Sequence, residues 1–79
     1  MDVNTIMQKA AHMRKGTVKW FNELAGFGYI QQDNGLADVF VYLKDVEASG
    51  LPLLQEGQSV TFDITQDRLQ PCAVNIKTA

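Results

Sequence analysis

Cysteine, histidine and long apolar runs are scarce in this 79-residue sequence, and each scarcity excludes a class of protein. The single cysteine, Cys72, has no partner for an internal disulfide. With only His12 beside it, the chain has no ligand set for zinc, and we expect neither a metal nor a cofactor. No stretch reaches the roughly 18 consecutive apolar residues of a membrane span, and Asp2 stands where a secretory signal carries positive charge. We therefore expect a soluble cytoplasmic protein.

Size and charge narrow the possibilities further. Seventy-nine residues are enough for one compact domain and too few for a second hydrophobic core. Seven Lys and Arg residues against nine Asp and Glu residues give a net charge of -2. Because polyanion-binding domains are normally basic, a nucleic-acid-binding role for this chain would require something other than a dense positive field.

The first residues of the chain have a pattern of their own. Apolar side chains recur there at helical spacing, at Val3, Ile6, Met7, Ala10 and Met13. A helix this short is marginal in water, so 1–12 is interpreted as a tail or as a helix that docks on the domain or on a second copy. Alternatively, His12-Met13 is a junction at which an appended leader meets a native start. We expect an extension at 1–12 and a domain at 13–79.

Five short segments carry strand patterns, at 16–22, 26–32, 38–43, 60–65 and 73–77. Asn34-Gly35 is a strong hairpin signal, because both residues accept positive φ. In the last segment Val74 and Ile76 alternate with more polar neighbours. Residues 44–58 form a long connection that carries function or caps the barrel. With no helix expected inside the domain, the pattern predicts an all-β fold, a small closed five-stranded barrel.

The second and third strands place aromatic and aliphatic side chains on opposite faces, because successive strand residues alternate. The aromatic side is Phe27, Tyr29, Phe40 and Tyr42, with Asp38. The aliphatic side is Ile30, Val39, Val41 and Leu43. The aliphatic side has no polar atoms to bury and is the better core, so we expect the aromatic side chains to point outwards and to require a partner. The periodicity also fits the reverse arrangement, with the aromatic side chains in the core.

The first strand adds Lys19, Trp20 and Phe21. Adjacent side chains point to opposite faces unless a bulge intervenes, so at least one of the two aromatics can join the outward set beside the Lys19 charge. Aromatic planes suit unpaired bases, since stacking contributes about 1–3 kcal/mol per base whatever the sequence. Stacking can therefore replace part of the electrostatic attraction that an acidic chain lacks.

No catalytic arrangement is visible. The Gly-x-Gly at 26–28 lacks the helix that a dinucleotide site requires. Ser49 and Ser59 have no evident base to activate them, and Cys72 has no evident cationic partner that would make its thiol reactive. We predict that the protein is not an enzyme.

Three segments resemble the first three strands of the bacterial cold-shock proteins, in their order and spacing. They are Gly16-Thr-Val-Lys-Trp-Phe-Asn22, Gly26-Phe-Gly-Tyr-Ile30 and Asp38-Val-Phe-Val-Tyr42. Glu56-Gly57-Gln58 and Pro71 match the second half of the family, so the resemblance covers Met13 to Ala79. It implies an OB-fold barrel of five antiparallel strands that binds single-stranded RNA and DNA. It also implies an RNA chaperone that supports transcription and translation at low temperature.

The resemblance places these residues at nucleic-acid contacts: Lys19, Trp20, Phe27, Tyr29, Asp38, Phe40, Tyr42 and Pro71. Arg68 lies near a position that is often basic in the family. The sequence departs from the family at Ala25, where a lysine is usual, at Tyr42, where a histidine is usual, and at Leu43 and Leu51, where aromatics are typical. We therefore expect weaker affinity than in a typical member, and a shallow salt dependence of roughly -1 to -2 in log K against log salt.

Two functions from different classes follow. The first is a binding module for single-stranded nucleic acid without catalytic activity. The alternative is a surface for protein–protein contact or self-association, because Ala25, Leu43 and Leu51 make the binding face more apolar. We expect a monomer or a weak homodimer.

Overall fold

The computed structural model describes residues 14–65 and 69–79, which form a closed barrel. The elements are β1 (Arg14–Asn22), β2 (Phe27–Gln32), β3 (Val39–Tyr42), α1 (Leu43–Ala48), β4 (Ser59–Thr65) and β5 (Cys72–Thr78). Around the barrel the strands run in the order β1-β2-β3-β5-β4, and β4 returns to β1. The pairing of β3 with β5 is parallel and the other pairings are antiparallel. The predicted all-β five-stranded barrel is confirmed; the predicted leader and Arg68 lie outside the described residues.

The inward-facing side chains of β2 and β3 are aliphatic, as the face assignment predicts. Ile30 and Val41 are 0% exposed and Val39 is 2% exposed. Other buried apolar side chains complete the core, namely Val18, Val46, Leu54, Val60, Phe62, Ala73 and Ile76. The aromatic residues of β2 and β3 alternate with this core and therefore lie on the outer side of the barrel. The reverse arrangement is excluded.

A bulge at Lys19 decides where the two adjacent aromatics of β1 point. Val18 pairs with Ile30, but Trp20 pairs with Tyr29, so Lys19 is an extra residue in β1. The bulge turns Trp20 to the outer side and lets Phe21 pack against the core opposite Gly28. Gly28 has no room for a side chain, because a Cβ there would lie 2.7 Å from Phe21 Cδ1 and would collide with the carbonyl oxygen of Trp20.

The helix α1 corrects the expectation that β3 runs through Leu43 into a loop. Six residues are too few to form a helix by local propensity alone. Tertiary contacts stabilise α1, since Val46 is fully buried and the Ser49 hydroxyl accepts a hydrogen bond from the backbone N–H of Ile76 at 2.9 Å. Among the described residues, no helix is long and apolar enough to cross a membrane.

The β2–β3 connection does not have the positive φ at both Asn34 and Gly35 that the hairpin signal predicts. It spans residues 33–38, and only Gly35 within it has positive φ, at 81°. The Asn34 side-chain oxygen instead accepts a hydrogen bond from the backbone of Leu36, which is the local turn that Asn favours. Gln32 is 6% exposed and donates a hydrogen bond to the Ala37 carbonyl at 2.8 Å. The loop that leads into Asp38 is therefore tied to the end of β2.

The predicted alternation in β5 is wrong. Thr61 pairs with Lys77 but Asp63 pairs with Val74, so β5 has an extra residue opposite Phe62. Asn75 adopts φ 53° at this bulge, a conformation that Asn tolerates better than most residues. As a result Ala73 and Ile76 both enter the core, and Val74, which the sequence places with Ile76, is only half-buried.

Candidate nucleic-acid interface

Five aromatic side chains form one continuous cluster on the outer side of the barrel. Trp20 comes from β1, Phe27 and Tyr29 from β2, and Phe40 and Tyr42 from β3, and we call these five residues the aromatic face. Ring centroids lie 4.8 Å apart for Tyr29 and Phe40, and 5.4 Å apart for Trp20 and Phe27. The structure thus brings together all five aromatic residues that the resemblance singles out.

Strand register produces this cluster. Phe27 is the partner of Tyr42, and Tyr29 is the partner of Phe40, so the two aromatic pairs face each other directly across β2 and β3. The bulge in β1 adds Trp20 as the partner of Tyr29. The direct pairing of β2 with β3 and the bulge in β1 therefore produce an aromatic surface that extends over three strands.

The rings hold one another in place. Each member of the aromatic face is half-buried, because its edges are covered by neighbouring rings. Phe27 contacts all four others, at centroid distances of 5.4 to 6.5 Å. Phe40 and Tyr42 are nearly parallel, with an angle of 16° between their planes. A surface ordered in advance loses less side-chain entropy when a ligand binds.

An ion pair lies beside the aromatic face. Lys19 Nζ donates to Asp38 Oδ2 at 3.0 Å, and the two side chains are 57% and 36% exposed. Lys19 occupies the β1 bulge directly before Trp20, and Asp38 ends the loop before β3, two residues before Phe40. The sequence places both residues at the interface but gives no sign that they pair. The pair neutralises the cation that we expect to contact phosphate.

The remaining predicted positions are spread more widely. Pro71 is exposed and precedes Cys72, the partner of Phe40, so it lies at the rim of the aromatic face. Arg68 lies outside the described residues. Of the departures from the family, Ala25 lies in the turn after β1, where its N–H donates to Asn22 Oδ1. Leu51 is partly buried and packs against the core.

Sequence reasoning missed a cleft at the end of the aromatic face. It has a volume of about 300 Å³ and is lined by Tyr42, Lys44, Leu69, Gln70 and Cys72. Residues 69 and 70 belong to the β4–β5 connection and Lys44 to α1, so the cleft exists only because β3 and β5 are neighbours. The unusual exposure of Leu69 has no signal in the sequence. Among the residues that the structure describes, no group of His, Cys, Asp and Glu could hold a metal ion.

Comparison with known proteins identifies the domain. The family model of the "Cold-shock" DNA-binding domain matches residues 14–79. The chain is 55% identical over 67 residues to the cold shock protein ScoF of Streptomyces coelicolor, covering 85% of this chain and 100% of that protein. It is 56% identical over 55 residues to the cold shock protein CspA of Rhizobium meliloti, covering 70% and 80%. It is 48% identical over 62 residues to the cold shock-like protein CspE of Buchnera aphidicola, covering 78% and 90%.

The family match extends over every strand of the barrel, from β1 to β5. Its members bind nucleic acid and are not enzymes. The barrel fold, the family match and the similar proteins together show that this chain belongs to the cold-shock domain family of nucleic-acid-binding proteins.

Proposed function

We propose that the aromatic face binds single-stranded RNA and DNA by stacking on unpaired bases. The observation that carries the proposal is the continuous cluster of five aromatic rings on the outer side of the barrel, opposite the aliphatic inner side of β2 and β3. Single strands fit this surface better than duplexes, because the bases of a duplex are already stacked and paired. Metal and cofactor play no part in this proposal.

Stacking is the main source of affinity in this proposal. Each stacked base contributes about 1–3 kcal/mol, so a few bases suffice for useful binding. Electrostatic attraction is small, because the chain carries a net charge of -2 and Asp38 neutralises Lys19. With one or two phosphate contacts, log K should fall with log salt at a slope of about -0.7 to -1.4.

A surface that binds unpaired bases shifts RNA away from its folded forms, since a ligand favours the state that it binds. We therefore infer that the protein acts as an RNA chaperone in the cytoplasm and regulates transcription and translation through the structures it melts. The names of the relatives, which are cold shock proteins, support this role. We assign it to a domain at 13–79 with residues 1–12 as an extension, and the family match from residue 14 supports that division.

Fluorescence of Trp20, the single tryptophan of the chain, tests the binding site directly. Oligo-U and oligo-dT should quench it, and a blunt duplex of the same length should quench it much less. Phe40→Ala should weaken binding of both oligonucleotides, whereas Lys77→Gln, which alters an exposed side chain of β5, should not. The absence of quenching at high micromolar oligonucleotide would exclude the proposed site.

The chaperone role needs a separate measurement. An RNA hairpin with a fluorophore and a quencher at its ends should open when the protein is added in excess. Phe40→Ala should open it less at the same concentration. If the wild-type protein binds oligo-U but leaves the hairpin closed, the binding role stands and the chaperone role does not.

Self-association is a second candidate, because three leucines are exposed among the described residues. Leu24, Leu36 and Leu69 are 99%, 55% and 106% exposed. Leu24 lies in the turn before Phe27, where it can extend an apolar contact surface. Sedimentation of the full chain over a range of concentrations should then show a weak dimer that Leu24→Ser abolishes. A monomer at every concentration would eliminate this candidate.

A further inference from the structure

Gln32, at the end of β2, turns a polar side chain into the barrel. The residue is 6% exposed and lies on the inner side of the strand with Ile30. Its amide nitrogen donates to the Ala37 carbonyl at 2.8 Å, whereas its Oε1 is buried and has no hydrogen-bond partner among the described residues. Because burial of an unpartnered oxygen costs stability, an apolar side chain of similar shape would stabilise the barrel at least as well. Stability therefore does not explain the amide at this position.

The hydrogen bond from Gln32 holds the far end of the β2–β3 loop. Residues 33–38 are all exposed, so burial does not fix the loop. Asp38, its last residue, follows Ala37, whose carbonyl accepts the hydrogen bond. The residue after Asp38 is Val39, which is 2% exposed and belongs to the core. The backbone of Asp38 is therefore held on both sides.

The position of Asp38 determines the state of Lys19. The two side chains form the ion pair of 3.0 Å beside the aromatic face. An exposed pair loses side-chain entropy when it forms, and it forms more readily when the backbone of one partner is already fixed. A hydrogen bond, a peptide bond and an ion pair thus connect the buried amide of Gln32 to the cation at the interface.

We propose that Gln32 is a positioning residue of the nucleic-acid interface, whose amide holds the β2–β3 loop so that Asp38 neutralises Lys19. Gln32 does not touch nucleic acid itself, because its side chain lies inside the barrel. The inference rests on the proposed function and deepens it. It makes the number of phosphate contacts, and hence the salt dependence of binding, depend on a residue outside the aromatic face.

Gln32→Met tests the proposal, because methionine is similarly long and unbranched but has no hydrogen-bond donor. The urea midpoint should stay the same or rise. Oligo-dT affinity, measured by Trp20 quenching, should rise up to about fivefold as Lys19 becomes available to a phosphate. The salt slope should become steeper by up to about 0.7. Gln32→Leu, a second apolar replacement, should give the same changes and serves if the methionine variant does not fold.

A double-mutant cycle separates positioning from a purely structural effect. In an Asp38→Asn background, Gln32→Met should leave affinity and salt slope unchanged, because the partner of Lys19 is already removed. Gln55→Met, the same substitution at an exposed residue between α1 and β4, should bind like wild type in either background. Equal effects of Gln32→Met with and without Asp38→Asn, or no effect in either, would overturn the proposal.

Acylation of lysine amines in the free protein tests the same contact without nucleic acid. With acetic anhydride and mass spectrometry, Lys19 should react up to about fivefold faster in Gln32→Met than in wild type, because it is released from its carboxylate. Lys77, which is exposed on β5, should react at the same rate in both. An unchanged rate at Lys19 would overturn the inference. If that rate rises but oligo-dT does not quench Trp20 in wild type, the proposed function fails and the positioning of Asp38 by Gln32 stands.

Discussion

The inner and outer sides of β2 and β3 belong to the same two strands but have different roles. On the inner side, Ile30 and Val41 are fully buried and hold the barrel together. On the outer side, Phe27 and Tyr42 are half-buried, and their rings contact each other. The difference teaches that the largest hydrophobic side chains of these strands are not in the core. Stability and binding are therefore separable by substitution within a single strand.

The largest expected effect is on the inner side. Ile30→Ala leaves a cavity in a tightly packed core and should cost about 2–5 kcal/mol of folding free energy, a large share of the stability of so small a domain. Urea unfolding followed by far-UV circular dichroism measures it. Phe27→Ala, three residues away on the outer side, is the control. If Phe27→Ala were the more destabilising of the two, the comparison between the two sides would be wrong.

Gly28→Ala tests the close contact between β2 and β1, which carries both the inward Phe21 and the outward Trp20. A Cβ at this position would lie 2.7 Å from Phe21 Cδ1 and 2.8 Å from Phe21 Cα. Overpacking of this kind costs about 1–3 kcal/mol, and here it should also displace Trp20, whose carbonyl oxygen is in the way. We expect a lower unfolding midpoint together with a shifted Trp20 emission maximum. Unchanged stability and emission would show that β1 and β2 separate at little cost.

Phe27→Ala should mainly weaken binding. Phe27 contacts the other four rings of the aromatic face, and loss of one stacking ring should reduce affinity for oligo-dT by about 1–3 kcal/mol. Trp20 quenching gives the affinity. Leu36→Ala, which removes another exposed apolar side chain but lies in the β2–β3 loop, should bind like wild type. Equal losses in the two variants would mean that general surface apolarity, not stacking, drives binding.

The smallest expected effect concerns the ion pair. Asp38→Asn frees Lys19 from a contact of 3.0 Å. Because an exposed pair contributes at most about 1 kcal/mol, we expect up to a fivefold gain in oligo-dT affinity. The salt slope should become steeper by about 0.7. Asp33→Asn removes the same charge from the same loop and corrects for the change in net charge. Weaker binding in Asp38→Asn would indicate that the carboxylate contacts a base directly.

Periodicity was sufficient for the faces of β2 and β3. Ile30, Val39 and Val41 are free of polar atoms and alternate with aromatics, so their assignment to the core needs no information from elsewhere in the chain. Periodicity failed at Val74 because the bulge at Asn75 changes the count of residues between inward positions. A bulge depends on how a strand pairs with its neighbour, and local sequence does not contain that register.

At the interface, too, some features could be predicted from the sequence and others depend on tertiary contacts. Its five aromatic residues follow from motifs in the sequence, and the family they indicate is confirmed. The Lys19–Asp38 pair joins residues 19 positions apart, and the cleft at the end of the aromatic face joins α1 to the β4–β5 connection. Neither has a local signature, because each depends on which strands become neighbours.

The sequence by itself determined the barrel class, the family and the aliphatic and aromatic sides of β2 and β3, since these depend on residue type and on the twofold alternation of a strand. The tertiary structure decided the two bulges, the formation of α1 around buried Val46, and the neutralisation of Lys19. These depend on contacts between distant segments. In an acidic chain such contacts determine which Lys and Arg side chains remain available to contact a phosphate.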